Sequence, residues 1–308
     1  MIKITLLHAC LFTLFTTVVL MAICIPPASA ARFENEQISL DVEPGRTYFV
    51  PINLTVSQGE PGGTFTLKVA GFGQSPFDGT YMGIAPEEDT GPYTARPFIS
   101  LEKDGCTLMP GGRATITAEI ALPADVRDGG RYALIMAYDA ASPSSTSTAQ
   151  PVATIPVFLS IKGGNVSETG VITGLEYTTY TDGESARIVT WFQNTGNHHI
   201  YGAVNKVTLI DAHGSILSSQ TTVPLVVALL PGPEVQFNVS IENGIPDTAY
   251  KLITRVERGD GSLLAEQEEI LKATTAIPEP TRSPGFGIGI ALIAISVGLW
   301  ISHPSRRR

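Results

Sequence analysis

A two-residue hydrophobic period, with no sustained helical period beside it, narrows what this chain can fold into more than any other feature. In residues 114–122, Ile116, Ala118, Ile120 and Leu122 fall on one face, and Thr115, Thr117, Glu119 and Ala121 on the other. An extended chain sends successive side chains to opposite faces, so this segment is a strand with one buried side. Tyr132, Leu134, Met136 and Tyr138 alternate in the same way with Ala133, Ile135 and Ala137. Segments 46–56 and 64–69 are rich in the β-branched and aromatic residues that pack well on a pleated surface. Gly, Pro, Asp and Ser punctuate the runs, and nothing between residues 37 and 161 keeps a helical period for three turns. Short strands separated by turn signals predict a sandwich.

A second set of strand-like runs follows at 170–180, 185–193, 203–211, 216–223, 234–241, 249–257 and 263–271. The two sets are related. Leu108-Met109-Pro110-Gly111 leading to Ile120 matches Leu229-Leu230-Pro231-Gly232 leading to Ile241, at an offset of about 121 residues. Val235, Phe237, Val239 and Ile241 keep the alternation of Ala114, Ile116, Ala118 and Ile120. Each copy then runs through a proline (Pro123, Pro246) to a tyrosine (Tyr132, Tyr250) that opens the next strand. Such a tyrosine suits a corner in which the hydroxyl bonds backbone across the sandwich. The expected fold is all-β: two tandem immunoglobulin-like β-sandwiches at 32–162 and 168–272, divided near Gly163-Gly164. Within the first, residues 71–97 read as an inserted loop, rich in Gly and Pro, with Phe72, Phe77, Tyr81 and Tyr93 and the acidic Glu87-Glu88-Asp89. It is either a solvated loop or one that folds over a sheet edge or binds something. The Ser/Thr-rich stretch 141–149 reads as a hairpin tip or glycan-bearing loop.

The two ends say where the chain works. Lys3, an apolar region from 4 to 25, and Ala28-Ser29-Ala30 make residues 1–30 a signal peptide. Small residues at Ala28 and Ala30 suit cleavage before Ala31, with an uncleaved anchor as the alternative. Ile23 is too bulky for a lipoprotein signal at Cys24. At the other end a Thr/Pro-rich stalk, 273–284, precedes an uncharged apolar segment, 285–302, and a basic tail, 303–308. At 1.5 Å rise per residue this segment just spans a hydrocarbon core of roughly 30 Å. Arg306, Arg307 and Arg308 hold the tail in the cytoplasm and leave everything upstream outside. The order Pro284-Gly285-Phe286, short apolar segment, basic end resembles the PGF-type sorting signal of archaeal surface proteins. That resemblance implies cutting near the motif by an archaeosortase-like enzyme and a lipid on the new terminus. A plain single-span anchor is the alternative.

Charge and cysteine usage exclude other classes. The formal charge of −9 becomes more acidic once the ends are removed, which argues against nucleic acid. Cys10 and Cys24 leave with the signal, so Cys106 is unpaired and reads as a packed side chain rather than a cross-link. No disulfide framework is available, and each sandwich must hold together through its core.

The ectodomain also resembles the two modules of WxL-interacting cell-surface proteins. In the first, the shared signals are Val42-Glu43-Pro44-Gly45, Asn53 ending an early strand, and the stretch from Pro110-Gly111 to Gly130 and Tyr132. In the second they are Phe192-Gln193-Asn194-Thr195-Gly196-Asn197, Leu230-Pro231-Gly232, and Tyr250 leading to Gly259-Asp260-Gly261. In that family the first module binds peptidoglycan and the second binds proteins. Joined to an archaeal-type tail, the resemblance implies an architecture, a membrane-tethered adhesive stalk.

Few residues carry chemistry. Between the signal peptide and the stalk the histidines are His198, His199 and His213. His198 and His199 point to opposite faces if extended, so they read as solvated and unable to share an ion. Nucleophile elbows, zinc motifs, phosphate loops and EF-type loops are absent from the sequence. Glu87-Glu88-Asp89 offers oxygens but no fixed glycine for a calcium turn. Arg258-Gly259-Asp260 spells an integrin-type tripeptide, but Asp260-Gly261 is a hairpin signal. Sequons stand at Asn53, Asn165 and Asn238, with Asn165, between the sandwiches, the best acceptor. No cofactor is called for. The expected function is a non-enzymatic, membrane-tethered surface protein that binds an envelope protein or polysaccharide. The alternatives are an accessory subunit of a secretion or pilus assembly that adds a partner strand, or a carbohydrate-active enzyme built on carboxylates of the 71–97 insertion.

Overall fold

A computed structural model describes residues 31–141, 150–179 and 185–271. The signal peptide with Ala28 and Ala30, the stalk, Pro284, Gly285 and Phe286, the apolar segment and the terminal arginines lie outside the described residues. So does most of the Ser/Thr-rich stretch after Ala141.

The chain is all-β. Its first part forms β1 (Ala31–Phe33), β2 (Ile38–Val42), β3 (Thr47–Val56), β4 (Gly63–Gln74), β5 (Tyr81–Ile84), β6 (Ile99–Leu101), β7 (Gly105–Leu108), β8 (Arg113–Ala121), β9 (Gly129–Asp139) and β10 (Ala153–Ile161). One sheet runs β1-β3-β8-β6; the facing sheet runs β2-β10-β9-β4-β5, with β7 also on β4. The inner faces meet where the two-residue period places them. Ile52, Leu54, Ile116 and Ile120 from one sheet are buried against Phe65, Leu67, Ile135 and Val157 from the other.

The second part forms β11 (Gly170–Thr179), β12 (Ser185–Asn194), β13 (Val204–Asp211), β14 (Ile216–Thr221), β15 (Glu234–Glu242), β16 (Ala249–Glu257) and β17 (Leu263–Ile270). Here the sheets are β11-β12-β15 and β14-β13-β16-β17. The layout repeats that of the first sandwich. β3 with β8 corresponds to β12 with β15, and β4-β9-β10 corresponds to β13-β16-β17. Both Pro-Gly turns of the internal repeat put glycine in the left-handed region, Gly111 at φ +72° and Gly232 at +101°. A side chain there would be strained, which explains why both copies keep Gly two residues before the matching strands β8 and β15.

Two expectations need correction. Residues 71–97 are not simply a loop. β4 continues through Gln74, and the chain returns as β5, paired from Gly71 with Ile84 to Gln74 with Tyr81. A short 3₁₀ turn, Arg96–Phe98, closes the insertion. Gly71 does not break the strand; it makes room, since a Cβ there would lie 2.4 Å from the Asp89 Cβ. Nor does the tyrosine corner form in either copy. Tyr250 is exposed. Tyr132 is buried, but its hydroxyl meets His199 of the other sandwich.

β9 accounts for the second correction. It is buried at every position from Gly129 to Ala137, on both faces. Ala133, Ile135 and Ala137 face the core, while Tyr132, Leu134 and Met136 belong to a second apolar cluster outside it. A strand with no charged residue between Arg131 and Asp139 needs a cover on both faces, as in the middle layer of a three-layer protein. The insertion and the second sandwich supply that cover.

Candidate functional site

The junction between the sandwiches is built on the outer face of β9 and β10. Phe72, Tyr132, Leu134, Met136 and Phe158 pack there against Ala228 and Leu230 of the second sandwich. The rings meet edge to face: Phe72 and Tyr81 at 4.7 Å between centroids, Tyr132 and Phe158 at 5.7 Å. That geometry sets positive ring edges on negative ring faces.

Segment 228–230 alternates like a strand between two cores. Leu229 faces the second sandwich's own core, and Ala228 and Leu230 face the junction. Its backbone groups must be satisfied there, because no water reaches them. Gln74 does this with one side chain. Its amide nitrogen donates to the Ala228 carbonyl at 2.9 Å, and its amide oxygen accepts from the Leu230 N–H at 3.0 Å. The Ala228 N–H donates to the Tyr81 hydroxyl at 2.6 Å. Burial pushes the Tyr81 phenol up to about 12. Around the rim, Gly130 N–H donates to Asn197 O at 2.7 Å, Gln236 N–H to Pro76 O at 2.8 Å, and the Tyr93 hydroxyl to Gly196 O at 3.2 Å. The insertion therefore supplies Gln74, Pro76, Tyr81 and Tyr93 to the contact between the sandwiches.

The adjacent histidines were expected to be solvated and to point apart. Instead their rings stack at 4.1 Å in the turn between β12 and β13, and His199 is only 7% exposed. Turn geometry, not extended geometry, sets their directions. The Tyr132 hydroxyl lies 3.3 Å from His199 Nδ1. Burial first, and the neighbouring His198 second, hold the His199 pKa down at about 3, so the ring is neutral. His198 belongs to a polar chain across the same junction. Ser160 Oγ is 2.9 Å from its Nε2, Glu168 Oε1 is 3.1 Å from its Nδ1, and Arg258 Nη2 is 3.0 Å from Glu168 Oε2. The sequence named His198 only as a solvated side chain, and nothing in it singled out Ser160, Glu168 or Gln74. The available signal was the doubly apolar β9, which required a partner surface.

A second candidate feature is the edge of the β14-β13-β16-β17 sheet. β14 reads Ile216-Leu217-Ser218-Ser219-Gln220-Thr221, with no charge and no proline, and among the described residues it pairs on one side only, with β13. Edge strands are normally blunted by charge, proline or shortness. β17 at the opposite edge carries Glu266, Glu268 and Glu269. Ile216 is 66% exposed, and Val223 and Val226, shortly after β14, are 83% and 96% exposed.

The remaining sequence candidates are dispersed. Asn53 lies on β3, its side chain accepting from Thr115 Oγ1 at 2.7 Å. Asn238 lies exposed on β15 and accepts from Arg187. Asn165 is exposed in the connector between β10 and β11, and its N–H donates to Asp128 at 3.0 Å. Cys106 sits half-buried on β7 against the first core, and burial raises its thiol pKa. Glu87 and Glu88 are exposed, whereas Asp89 turns inward to Thr94 Oγ1 and Arg96 Nε. The insertion thus presents no facing carboxylate pair. Among the described residues no cluster of three metal-ligating side chains forms. Arg258 points to Glu168 and Asp260, and Gly261 makes the hairpin turn at φ +84°.

These features define a class: an all-β protein of two sandwiches clamped together by an insertion from the first. No protein-family model matches the chain, and no curated protein matches it. Solved structures resemble it at low identity. A chain of a chaperone–tip adhesin complex of CFA/I fimbriae biogenesis is 8% identical, with TM-score 0.38, covering 78% of this chain and 97% of that one. The CupB2 chaperone of Pseudomonas aeruginosa is 10% identical, with TM-score 0.35, covering 78% and 100%. A Porphyromonas gingivalis protein of unknown function is 12% identical, with TM-score 0.26, covering 79% and 100%. At these values the likeness reaches no further than an all-β architecture.

Proposed function

We propose that this chain is a binding protein of the cell surface, and that it takes a protein partner by strand addition at β14. The supporting observation is the unprotected edge: six residues without charge or proline, followed by exposed valines. A partner strand laid there satisfies the free backbone groups of both strands, and the apolar side chains supply burial. The two immunoglobulin-like sandwiches act as one body, because the Gln74 clamp and the aromatic junction fix their relation. Of the roles weighed from sequence, this edge favours an accessory subunit of a secretion or pilus assembly over a passive adhesive stalk. In this reading the apolar segment 285–302, or a lipid added after archaeosortase-like cleavage at Pro284-Gly285-Phe286, holds the chain to the outer face of the membrane.

The test is site-specific photo-crosslinking in the native envelope. A benzophenone side chain at Ser219 of β14 should give one discrete adduct, and the same probe at Glu268 of β17 should give none. A smear at both sites, or nothing at Ser219, would remove the strand-addition reading.

A further inference from the structure

The polar chain at the junction is ordered like a nucleophile, a base and an orienting acid. His198 Nδ1 has two neighbours, Glu168 Oε1 at 3.1 Å and the His199 carbonyl at 3.2 Å. Both are acceptors only, so in the neutral ring the proton sits on Nδ1. Nε2 then carries the lone pair, and it faces Ser160 Oγ at 2.9 Å, whose hydroxyl donates to it. Arg258 Nη2 engages the second oxygen of Glu168 at 3.0 Å, which fixes the carboxylate's orientation. Each hydrogen bond in the series is thereby assigned a direction, and the direction is the one an activated serine requires. The three groups come from separate places: Ser160 from β10, Glu168 from the connector, and His198 from the turn after β12. Only the docked arrangement of the two sandwiches brings them together.

Ser160 is half-buried, not sealed. It opens on a cleft of about 440 Å³ that Gln37, Ser39, Leu40, Phe158 and Tyr201 also line. That volume falls within the range of small-molecule sites, roughly 300–1,000 Å³. Phe158 pairs with Ser39 across β10 and β2, and Ser160 pairs with Asp41, so these side chains share one face of the sheet. Tyr201, 44% exposed, offers apolar surface to a short acyl group, whereas Phe158 is buried beneath the cleft and the Leu40 side chain turns to the first core. On the cleft wall the Gln37 amide donates to Ser39 Oγ at 2.9 Å, which leaves the Ser39 hydroxyl hydrogen and the Tyr201 hydroxyl as donors facing the cleft.

The geometry points to a second function beside binding: Ser160 is an acyl-accepting nucleophile that hydrolyses short-chain carboxylic esters, with His198 as its base and Glu168 as a positioning residue. Ser160 Oγ bonds to the ester carbonyl carbon while its proton passes to His198 Nε2. The bond from that carbon to the alcohol oxygen breaks, and the alcohol leaves with the proton from Nε2. Water then attacks the acyl-serine, giving its proton to Nε2, and the carboxylic acid departs as Ser160 regains its hydrogen. The sum is ester plus water to acid plus alcohol, with no redox partner. The inference does not rest on the β14 edge and survives if strand addition fails.

The test treats the full-length chain with a fluorophosphonate, which phosphonylates an activated serine and releases fluoride. Peptide mapping should find one adduct, at Ser160, forming about 100-fold faster than on the heat-unfolded chain, the scale of a working general base. Ser160→Ala, which removes one half-exposed hydroxyl and should melt normally, should abolish both the adduct and p-nitrophenyl acetate turnover. His198→Gln should cut turnover by about 100-fold. Glu168→Gln should lower kcat with KM unchanged, a split that a purely structural residue would not produce. An unmodified Ser160, in a reaction where an added serine hydrolase is fully labelled, would overturn the inference and leave the chain of contacts as a latch. A fast adduct that persists in Ser160→Ala would overturn it equally.

Discussion

Met109 and Leu230 occupy the same place in the two copies of the internal repeat, yet Met109 is 73% exposed and Leu230 is 2% exposed. Each precedes a Pro-Gly turn and follows a buried leucine, Leu108 or Leu229. The second copy has turned that position into an anchor on the aromatic face of β9 and β10, alongside Ala228. In the first copy nothing described covers the equivalent side chain. The repeat thus gives two related sandwiches, and at this position only the second copy contributes a side chain to the junction.

Truncation should distinguish the two. Leu230→Ala empties part of a packed junction and should cost about 2–5 kcal/mol, the range for buried leucines. Met109→Ala should lie within about 0.5 kcal/mol of the parent, as exposed substitutions do. Urea unfolding followed by fluorescence measures both, and equal losses would contradict the anchor. The same logic applies to fragments. Residues 32–162 and 168–272 should each give β-type circular dichroism and a cooperative melt, but the first should aggregate more readily because Tyr132, Leu134 and Phe158 lose their cover.

Acid should loosen the junction through His199. Its folded pKa, about 3, lies below the ordinary histidine value near 6.5. Below pH 6.5 the unfolded chain takes up a proton that the folded chain refuses, so stability falls as pH falls, down to about pH 3. Between pH 7 and 5 this one ring should account for a loss of about 2 kcal/mol. His199→Gln should flatten that part of the stability–pH curve, compared by urea titration at the two pH values. An unchanged slope would mean that the ring is reached by water.

Cys106 should stay reduced and react slowly. It is the one cysteine among the described residues, packed against the first core, and burial raises its pKa, which lowers the thiolate fraction at neutral pH. Iodoacetamide should modify it more slowly than free cysteine at pH 7.5, and non-reducing gels should show a single band. A thiol-sensitive dimer would assign it to an interface instead.

The mature chain should end near Pro284-Gly285-Phe286 and carry a lipid, in keeping with an apolar run barely long enough to span and three arginines directly behind it. Proline and glycine disfavour helix, so a protease is expected to reach the bond there. Mass spectrometry of the native protein decides: a peptide containing Trp300 recovered from the mature form would show that the span is kept.

The all-β class was legible from local pattern alone. Period 2 in 114–122 and 234–241, together with Pro-Gly turns whose glycines need positive φ, determines strands, their buried faces and the duplication. These depend on neighbours within a few residues, which a sequence displays directly. What lay across the junction was hidden. His198 and His199 look like solvated turn residues until Ser160, Glu168 and Tyr132, each distant along the chain, arrive around them. The apolar outer face of β9 announced that a cover was needed, but not which segment would supply it. Tertiary structure decided that, because burial and hydrogen-bond partners across a junction follow from how two finished surfaces fit, and that fit leaves no period in the chain.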